Sequence, residues 1–457
     1  MNKPAQVNKQ YFFLFAVLLY LLFSDLSWYS YFALLISVYQ FCLVFVSVNS
    51  FIPIRYLAGL LMCLQMLVGP ALAYNGLDQY QEGFSKMQIP ESEYFSYVIP
   101  AVLFFIAGLN IFTKNNPGEK PDIDRIKTYL NQNPKIPYIF IVIGFFTGTF
   151  YMFFSADIAF VFLILSGFKF VGVFIIILGN KHIKPLTIVL VYGSIIVSSI
   201  SQGMFFDLLS WVTFLGSIYA LKLKPKAIFK AIFVVIFAIL AIVIQQLKGD
   251  YREATWQQGQ VANLETMKKT LKKKDDKSGI FSAENMGNSN LRINQGYIIT
   301  NIMKTVPDKV SFENGNELLQ ILEAAFLPRI IAPNKLNAGD RFIFTKYSGI
   351  PVISGTSMGL SSIGDAYINF GVRGGCIFMF CYGLVFSYFL KLFYKKSKEF
   401  PIVILFATVA FYYPIRPDCE LQTILGHLFK ATLIIFVIVN VWKYNFRVAK
   451  IKNLNIS

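Results

Sequence analysis

Residues 229–247 read FKAIFVVIFAILAIVIQQL, with one charge, Lys230, near the start, and the chain then continues as KGDYR. A bilayer core of roughly 30 Å takes about 20 apolar residues as a helix, so this stretch reads as a membrane span ending at Lys248. Comparable stretches recur on both sides of it. The spans expected from the sequence lie near residues 11–24, 30–48, 56–73, 94–113, 137–154, 158–179, 185–200, 203–220, 229–247, 374–393, 400–415 and 423–442. Composition agrees, because 55% of the residues are hydrophobic and only 15% charged, against about a quarter charged in a soluble domain. A water-soluble globular fold is thereby excluded, and the expected class is an all-α polytopic membrane protein of about twelve helices.

The net charge of +17 has to be sorted by side of the membrane before it can suggest a partner. Lys and Arg concentrate in cytoplasmic loops. With the N-terminus cytoplasmic, 22 basic residues fall inside, in the segments around Lys3 and Lys9, Arg55, Lys114–Lys135, Lys181 and Lys184, Lys222–Lys230, Lys391–Lys398 and Lys443–Lys452. The short outer loops hold two, Lys86 and Arg416. Both termini are then cytoplasmic, and the charge is a topology signal rather than a nucleic-acid footprint. SDLSWYS after the first apolar run is not a signal-peptidase site, so that run reads as an uncleaved span.

Three regions follow from this layout. Residues 1–247 form an N-terminal bundle of about nine helices, 248–373 a large outer loop, and 374–457 the last helices with a basic cytoplasmic tail. The end of the loop, VISGTSMGLSSIGDAYINFG, is only half apolar and rich in Gly and Ser. It reads as a re-entrant or surface-lying segment, which is tolerated at membrane depth where protein buries it. NELLQILEAAF is expected to form a helix that packs Leu318, Leu322, Ala325 and Phe326 on one face and ends at Pro328. KKTLKKKDDKSG is low in complexity and reads as mobile.

The chemistry is expected in the large loop. Arginine keeps its charge and offers a planar fork to phosphate oxygens, which singles out Arg252, Arg292 and Arg329 as catalytic candidates. Lys248 and Arg252 share a helical face if the helix continues. Arg292 reads as opening a helix, Arg329 as held on an elbow, and Arg341 as a local pair with Asp340. Tyr251, Lys335 and Arg341 join Lys248 as candidate substrate-binding residues. In GDAYINFG, Asp365, Tyr367 and Asn369 could hold sugar hydroxyls, and Arg416 of PIRPDCELQ could close over the same cavity. Glu317 and Glu323 are candidate bases, although a glutamate on a loop helix more often lies on a solvated face.

Asp122 and Asp124 in DID have no room for the nucleotide domain that such a dyad serves. Lys169 and Asp207 would each cost roughly 2.5–3.5 kcal/mol at a span centre, and pairing with each other is the simplest resolution. Lys430, one turn after His427, is the remaining intramembrane cation. Five cysteines and two histidines show no metal-ligand spacing, so neither a metal nor a cofactor is expected.

In KGDYR after a span, FLPRIIAPNK in the loop, GDAYINFG before the next span, and the layout as a whole, the chain resembles the bacterial O-antigen or capsule repeat-unit polymerases of the Wzy type. That resemblance implies a second GT-C type membrane glycosyltransferase, related to O-antigen ligases, in the bacterial inner membrane. It implies an undecaprenyl-pyrophosphate-linked glycan as donor and a newly flipped lipid-linked unit as acceptor. It also implies an inverting, metal-independent transfer on the periplasmic face, with a separate chain-length regulator as a partner. The loop lacks the histidine typical of ligases. The competing readings are a lipid-linked oligosaccharide flippase, an O-antigen ligase, and a GT-C enzyme using a polyprenyl monophosphate sugar.

Overall fold

The structure, a computed structural model, describes residues 12–13, 16–17, 20, 25–112, 120–180, 185–203, 205–278, 282–327, 331–352 and 358–448. Ten of its helices are long and apolar enough to cross a membrane. These are α1 (Trp28–Ser47), α2 (Ile54–Tyr74), α3 (Glu91–Asn110), α5 (Ile136–Phe153), α6 (Ile158–Gly179), α7 (Pro185–Gln202), α8 (Phe206–Leu223), α9 (Ala227–Arg252), α15 (Ser361–Ser397) and α17 (Leu421–Val441). Between them lie α4 (Ile123–Gln132), the loop helices α10 (Leu264–Ser278), α11 (Ala283–Ile293), α12 (Gly296–Thr305), α13 (Asn316–Phe326) and α14 (Arg341–Ser348), and α16 (Val403–Ala410). No strand occurs among the described residues. Ten of the twelve expected spans are thus helices of spanning length. The first expected span lies mostly outside the described residues.

The other departure is the stretch 400–415. Its helix is only Val403–Ala410, about 12 Å long at 1.5 Å per residue, and residues 400–411 are all buried. A helix that is apolar on every side and short is a core helix rather than a lipid-facing span. Even so, the segment links the two ends of the bundle. At its start Arg125 donates to the Lys398 carbonyl (2.7 Å) and Glu399 pairs with Arg447 (2.6 Å). At its end Arg416 joins the cluster described below.

The loops expected on one side do gather at one end. Asn49 donates to the Pro225 carbonyl (3.2 Å), Lys230 to that of Phe45 (2.6 Å), Lys222 to that of Asn180 (2.6 Å), and Lys396 to the Asn440 side chain (2.9 Å). The opposite end collects the remaining loops. There the Gln88 backbone N–H donates to the Thr300 hydroxyl oxygen (3.2 Å), Asn301 donates to the Phe84 carbonyl (2.9 Å), and Asn290 to that of Gly69 (2.9 Å). The large loop is therefore bolted to this second end by buried amides. DID is structural: Asp122 caps α4 by accepting from the Arg125 N–H (3.1 Å), and Asp124 pairs with Lys127 (3.2 Å).

The tightest packing is α3 against α15. A β-carbon on Gly108 would stand 2.3 Å from the Phe380 carbonyl oxygen, and one on Gly383 2.3 Å from that of Phe105. Two backbones that close need glycine on both sides. The segment expected to be re-entrant is the first part of α15, buried over most of its length and broken from the rest at Gly371 (φ 62°, ψ −161°). That backbone region is open essentially to glycine alone. Residues 353–357 of the same segment lie outside the described residues. By contrast α9 exposes its apolar side chains, with Val235 57% and Ile236 61% accessible, a surface that suggests a lipid environment.

Several local expectations change. Helix α10 runs through the described part of the lysine-rich stretch that reads as mobile. In α13 the buried face is Glu317, Ile321, Ala324 and Ala325, while Phe326 is 39% exposed and meets Phe429 at 5.1 Å. Lys169 and Asp207 make no ion pair. Lys169 lies over the rings of Phe145 and Phe170, each at 5.3 Å, and Asp207 accepts the Tyr412 hydroxyl. Lys430 lies over Phe160 at 5.0 Å, and buried His427 contacts the Val409 carbonyl at 2.9 Å.

Candidate functional site

Two groups of charged side chains meet at the end of the bundle away from the basic loops. The first is built on the last turns of α9. The helix does continue through KGDYR, so Lys248 and Arg252 lie one turn apart on one face. Tyr251 is fully buried and its hydroxyl donates to the Ile200 carbonyl (2.8 Å). Arg252 donates through Nε to the Gly203 carbonyl (3.0 Å). Tyr251 is therefore an anchor that fixes the helix end, which replaces its expected role as a substrate contact.

Arg292 comes to the same place from α11. It lies in the last turn of that helix rather than opening one, and a cation there complements the helix dipole. It lies against α9, with its Nη2 3.4 Å from where a β-carbon on Gly249 would stand. Arg416 completes the group from the loop before α17, over the Phe206 ring at 3.8 Å and paired with Asp418 at 3.1 Å. The charges of Arg252, Arg292 and Arg416 all bear on Lys248, with Asp418 opposing them. Burial would raise the Asp418 carboxyl, but Arg416 overcomes this and holds it below the usual carboxylate range. Lys248, Arg252, Arg292 and Arg416 thus gather at one corner beside Asp418, and guanidinium groups brought together in this way suit an anion such as a phosphate. Arg329 falls outside the described residues.

Gln65 supports this corner in a way the sequence does not signal. Helix α2 contains a turn of π-helix over Leu64–Val68, and such bulges re-aim side chains and backbone groups, often at functional sites. Here the Gln65 carbonyl accepts from the Gln295 N–H (3.1 Å), and its side chain lies beside Asp418.

The second group is acidic. A cleft is lined by Glu317, Asp340, Asp365 and Glu420 among apolar side chains including Ile321, Phe344 and Leu360. Glu317 lies in the first turn of α13 and is 4% exposed. Asn369 ties it down by donating to its Oε2 (2.7 Å) and to the Asp365 carbonyl (2.9 Å), and accepts from the Leu318 N–H (3.2 Å). Burial pushes the Glu317 carboxyl up to about 7, with Glu313 adding to the effect and the Asn369 hydrogen bond opposing it. Burial also raises Glu420, although the Gly339 N–H (2.7 Å) and the Thr423 hydroxyl (3.2 Å) donate to it. Asp365 is 3% exposed, and its Oδ2 has no hydrogen-bond partner among the described residues.

The remaining candidates sort themselves around this cleft. Tyr367 does not reach it; the ring is buried against Tyr97 (5.1 Å) and Phe312 (5.7 Å), so it is core. Arg341 is exposed and makes no pair with Asp340, which instead caps α14 by accepting from Phe342 N (2.9 Å) and Ile343 N (3.4 Å). Lys335 donates to the Leu327 carbonyl. Lys335 and Arg341 flank Leu336 and Asp340 in sequence but do not line the cleft. Glu323 is exposed as a solvated face should be, whereas Glu317 is not. The spacing 317, 321, 324 and 325 on a helix places Glu317 on the buried stripe. That was the available signal.

Both groups draw on the loop before α17. Arg416, Asp418 and Glu420 alternate along the same loop, and this loop packs on Gly359, next to Met358 and Leu360 of the cleft wall. No cluster of three or more His, Cys, Asp or Glu side chains among the described residues is disposed to hold a metal ion.

No curated protein and no solved structure matches the chain. One family model does, over residues 96–396, from α3 through nearly all of α15, a region that holds Lys248, Arg252, Arg292, Glu317 and Asp365. By that match over most of its length, the chain belongs to DUF8712, a domain family of unknown function.

Proposed function

We propose that the chain is a membrane glycosyltransferase that polymerises undecaprenyl-pyrophosphate-linked oligosaccharide repeat units on the outer face of the bacterial inner membrane. The observation that carries this reading is the convergence of Lys248, Arg252, Arg292 and Arg416 at the end of α9, next to the exposed apolar face of that helix. A polyprenyl tail would remain against such a face while its pyrophosphate reached the cations. As the glycosidic bond breaks, negative charge develops on the leaving pyrophosphate. Fixed cations then stabilise the transition state more than the ground state, so the transfer requires no metal ion. In-line attack by a hydroxyl of the acceptor unit inverts the anomeric carbon and releases undecaprenyl pyrophosphate.

The test is polymer formation by purified protein in proteoliposomes given lipid-linked repeat units. Wild type is expected to give a ladder of products in the presence of a chelator. R252A and R292A are each expected to reduce the rate at least tenfold. If lipid-linked units instead cross the bilayer and no glycosidic bond forms, the chain is a flippase and the proposal fails.

A further inference from the structure

We propose that the cleft between α13, α15 and the start of α17 is the acceptor subsite, and that Glu317 takes the proton from the attacking sugar hydroxyl while Asp365 orients it. This rests on the glycosyl-transfer reading above. The cleft gathers Glu317, Asp340, Asp365 and Glu420 from four separate segments of the chain. It offers what a polyol needs, carboxylate acceptors for hydroxyl donors, set between an apolar floor and a rim carrying Asn337 and Gln422. Asp365 lines this space, and its buried Oδ2 has no hydrogen-bond partner among the described residues. A buried carboxylate oxygen left in that condition is costly unless a ligand completes it.

Glu317 is held for proton transfer rather than for a structural ion pair. Its one side-chain hydrogen bond among the described residues is the N–H donated by Asn369, which occupies Oε2 and leaves Oε1 to accept. The groups around it are Glu313 before α13, Lys346 and Tyr347 of α14, Asp365 of α15, Glu420 before α17, and Asp340. Lys346 is paired with Glu313 at 2.8 Å, and burial outweighs its pull on Glu317, which keeps a high proton affinity. A base that titrates near the working pH is the efficient one.

The atoms balance as follows. The hydroxyl proton passes to Glu317, and the hydroxyl oxygen forms the new bond to the donor's anomeric carbon. The bond from that carbon to the pyrophosphate oxygen breaks, and its electron pair leaves with undecaprenyl pyrophosphate beside Arg252 and Arg292. Glu317 then returns its proton to water. Inversion requires acceptor and leaving group on opposite faces of the reacting carbon, and the loop that carries Arg416 and Glu420 contributes to both groups.

The experiment has two arms, both on the full chain in detergent micelles or liposomes. Binding is measured with undecaprenyl pyrophosphate itself, and transfer with lipid-linked repeat units. E317Q and D365N are expected to bind undecaprenyl pyrophosphate as wild type does, whereas R252A binds it at least tenfold more weakly. Transfer is expected to fall at least a hundredfold in E317Q and at least tenfold in D365N, and to be unchanged in E284Q, an exposed glutamate of α11. The wild-type rate is expected to rise with pH through about 7, and this limb disappears from the residual rate of E317Q. Transfer by E317Q at the wild-type rate overturns the assignment, as does a wild-type rate flat from pH 5 to 8, a measurement that needs no variant. Either result leaves the polymerase reading standing. That reading fails separately if wild type makes no polymer at all.

Discussion

Replacing Glu317 by glutamine tests the acidic cleft through stability alone, without any substrate. The side chain is 4% exposed and its carboxyl is pushed from the usual 4.5 up to about 7, chiefly by burial. One pKa unit corresponds to about 1.4 kcal/mol, so the difference between folded and unfolded chains is worth about 3 kcal/mol. The folded state binds the proton more tightly than the unfolded state. Its contribution is therefore complete below about pH 4.5 and is lost as the pH rises to about 7, above which a charge is buried. Glutamine is neutral throughout and of the same shape, and its carbonyl can still accept from Asn369. Reversible unfolding in mixed micelles should give E317Q and wild type similar stabilities near pH 4.5. At pH 8 the variant should be more stable by up to about 3 kcal/mol. Glu313 and Glu420 are present in both proteins, so the comparison isolates the charge at position 317. A difference that is flat with pH, or that favours wild type at pH 8, would refute the claim that Glu317 is a buried acid.

Two further outcomes follow from packing and from the cation cluster. G383V drives a side chain into the Phe105 carbonyl across the α3–α15 contact, and should cost about 3 kcal/mol in the same unfolding measurement; an unchanged midpoint would mean that the helices do not cross there. R416M leaves Asp418 without its ion pair, at a cost of about 2 kcal/mol. R416M/D418N should recover most of that, and a double variant as unstable as the sum of the two single changes would show that the pair is not coupled.

Much of the site's cationic half was legible in the chain. Lys248 and Arg252 share a face because an apolar helix runs unbroken through KGDYR, and Arg416 was readable as the one basic residue in a short polar outer loop. The local grammar misled where it depended on tertiary neighbours. Tyr367 looks like a sugar contact in GDAYINFG, yet two aromatic rings claim it. Asp340 seems available to Arg341, yet two backbone N–H groups at the head of α14 take its carboxylate. The 400–415 stretch has the length of a span and the apolarity of one, yet bundle packing buries all of residues 400–411, which hydropathy does not distinguish from lipid.

By itself the sequence determined the all-helical class, ten of the long apolar helices, and which loops share an end, because apolar runs and clusters of lysine act through composition and need no partner. It could not decide which loop residues meet. Arg292 reaches α9 from more than forty residues downstream, Arg416 from more than one hundred and sixty, and Glu317 becomes a buried acid only when α15 brings Asn369 and Asp365 against it. Those contacts depend on how the large loop folds back onto the bundle. That is a matter of long-range packing between helices, and no periodicity within a single segment records it.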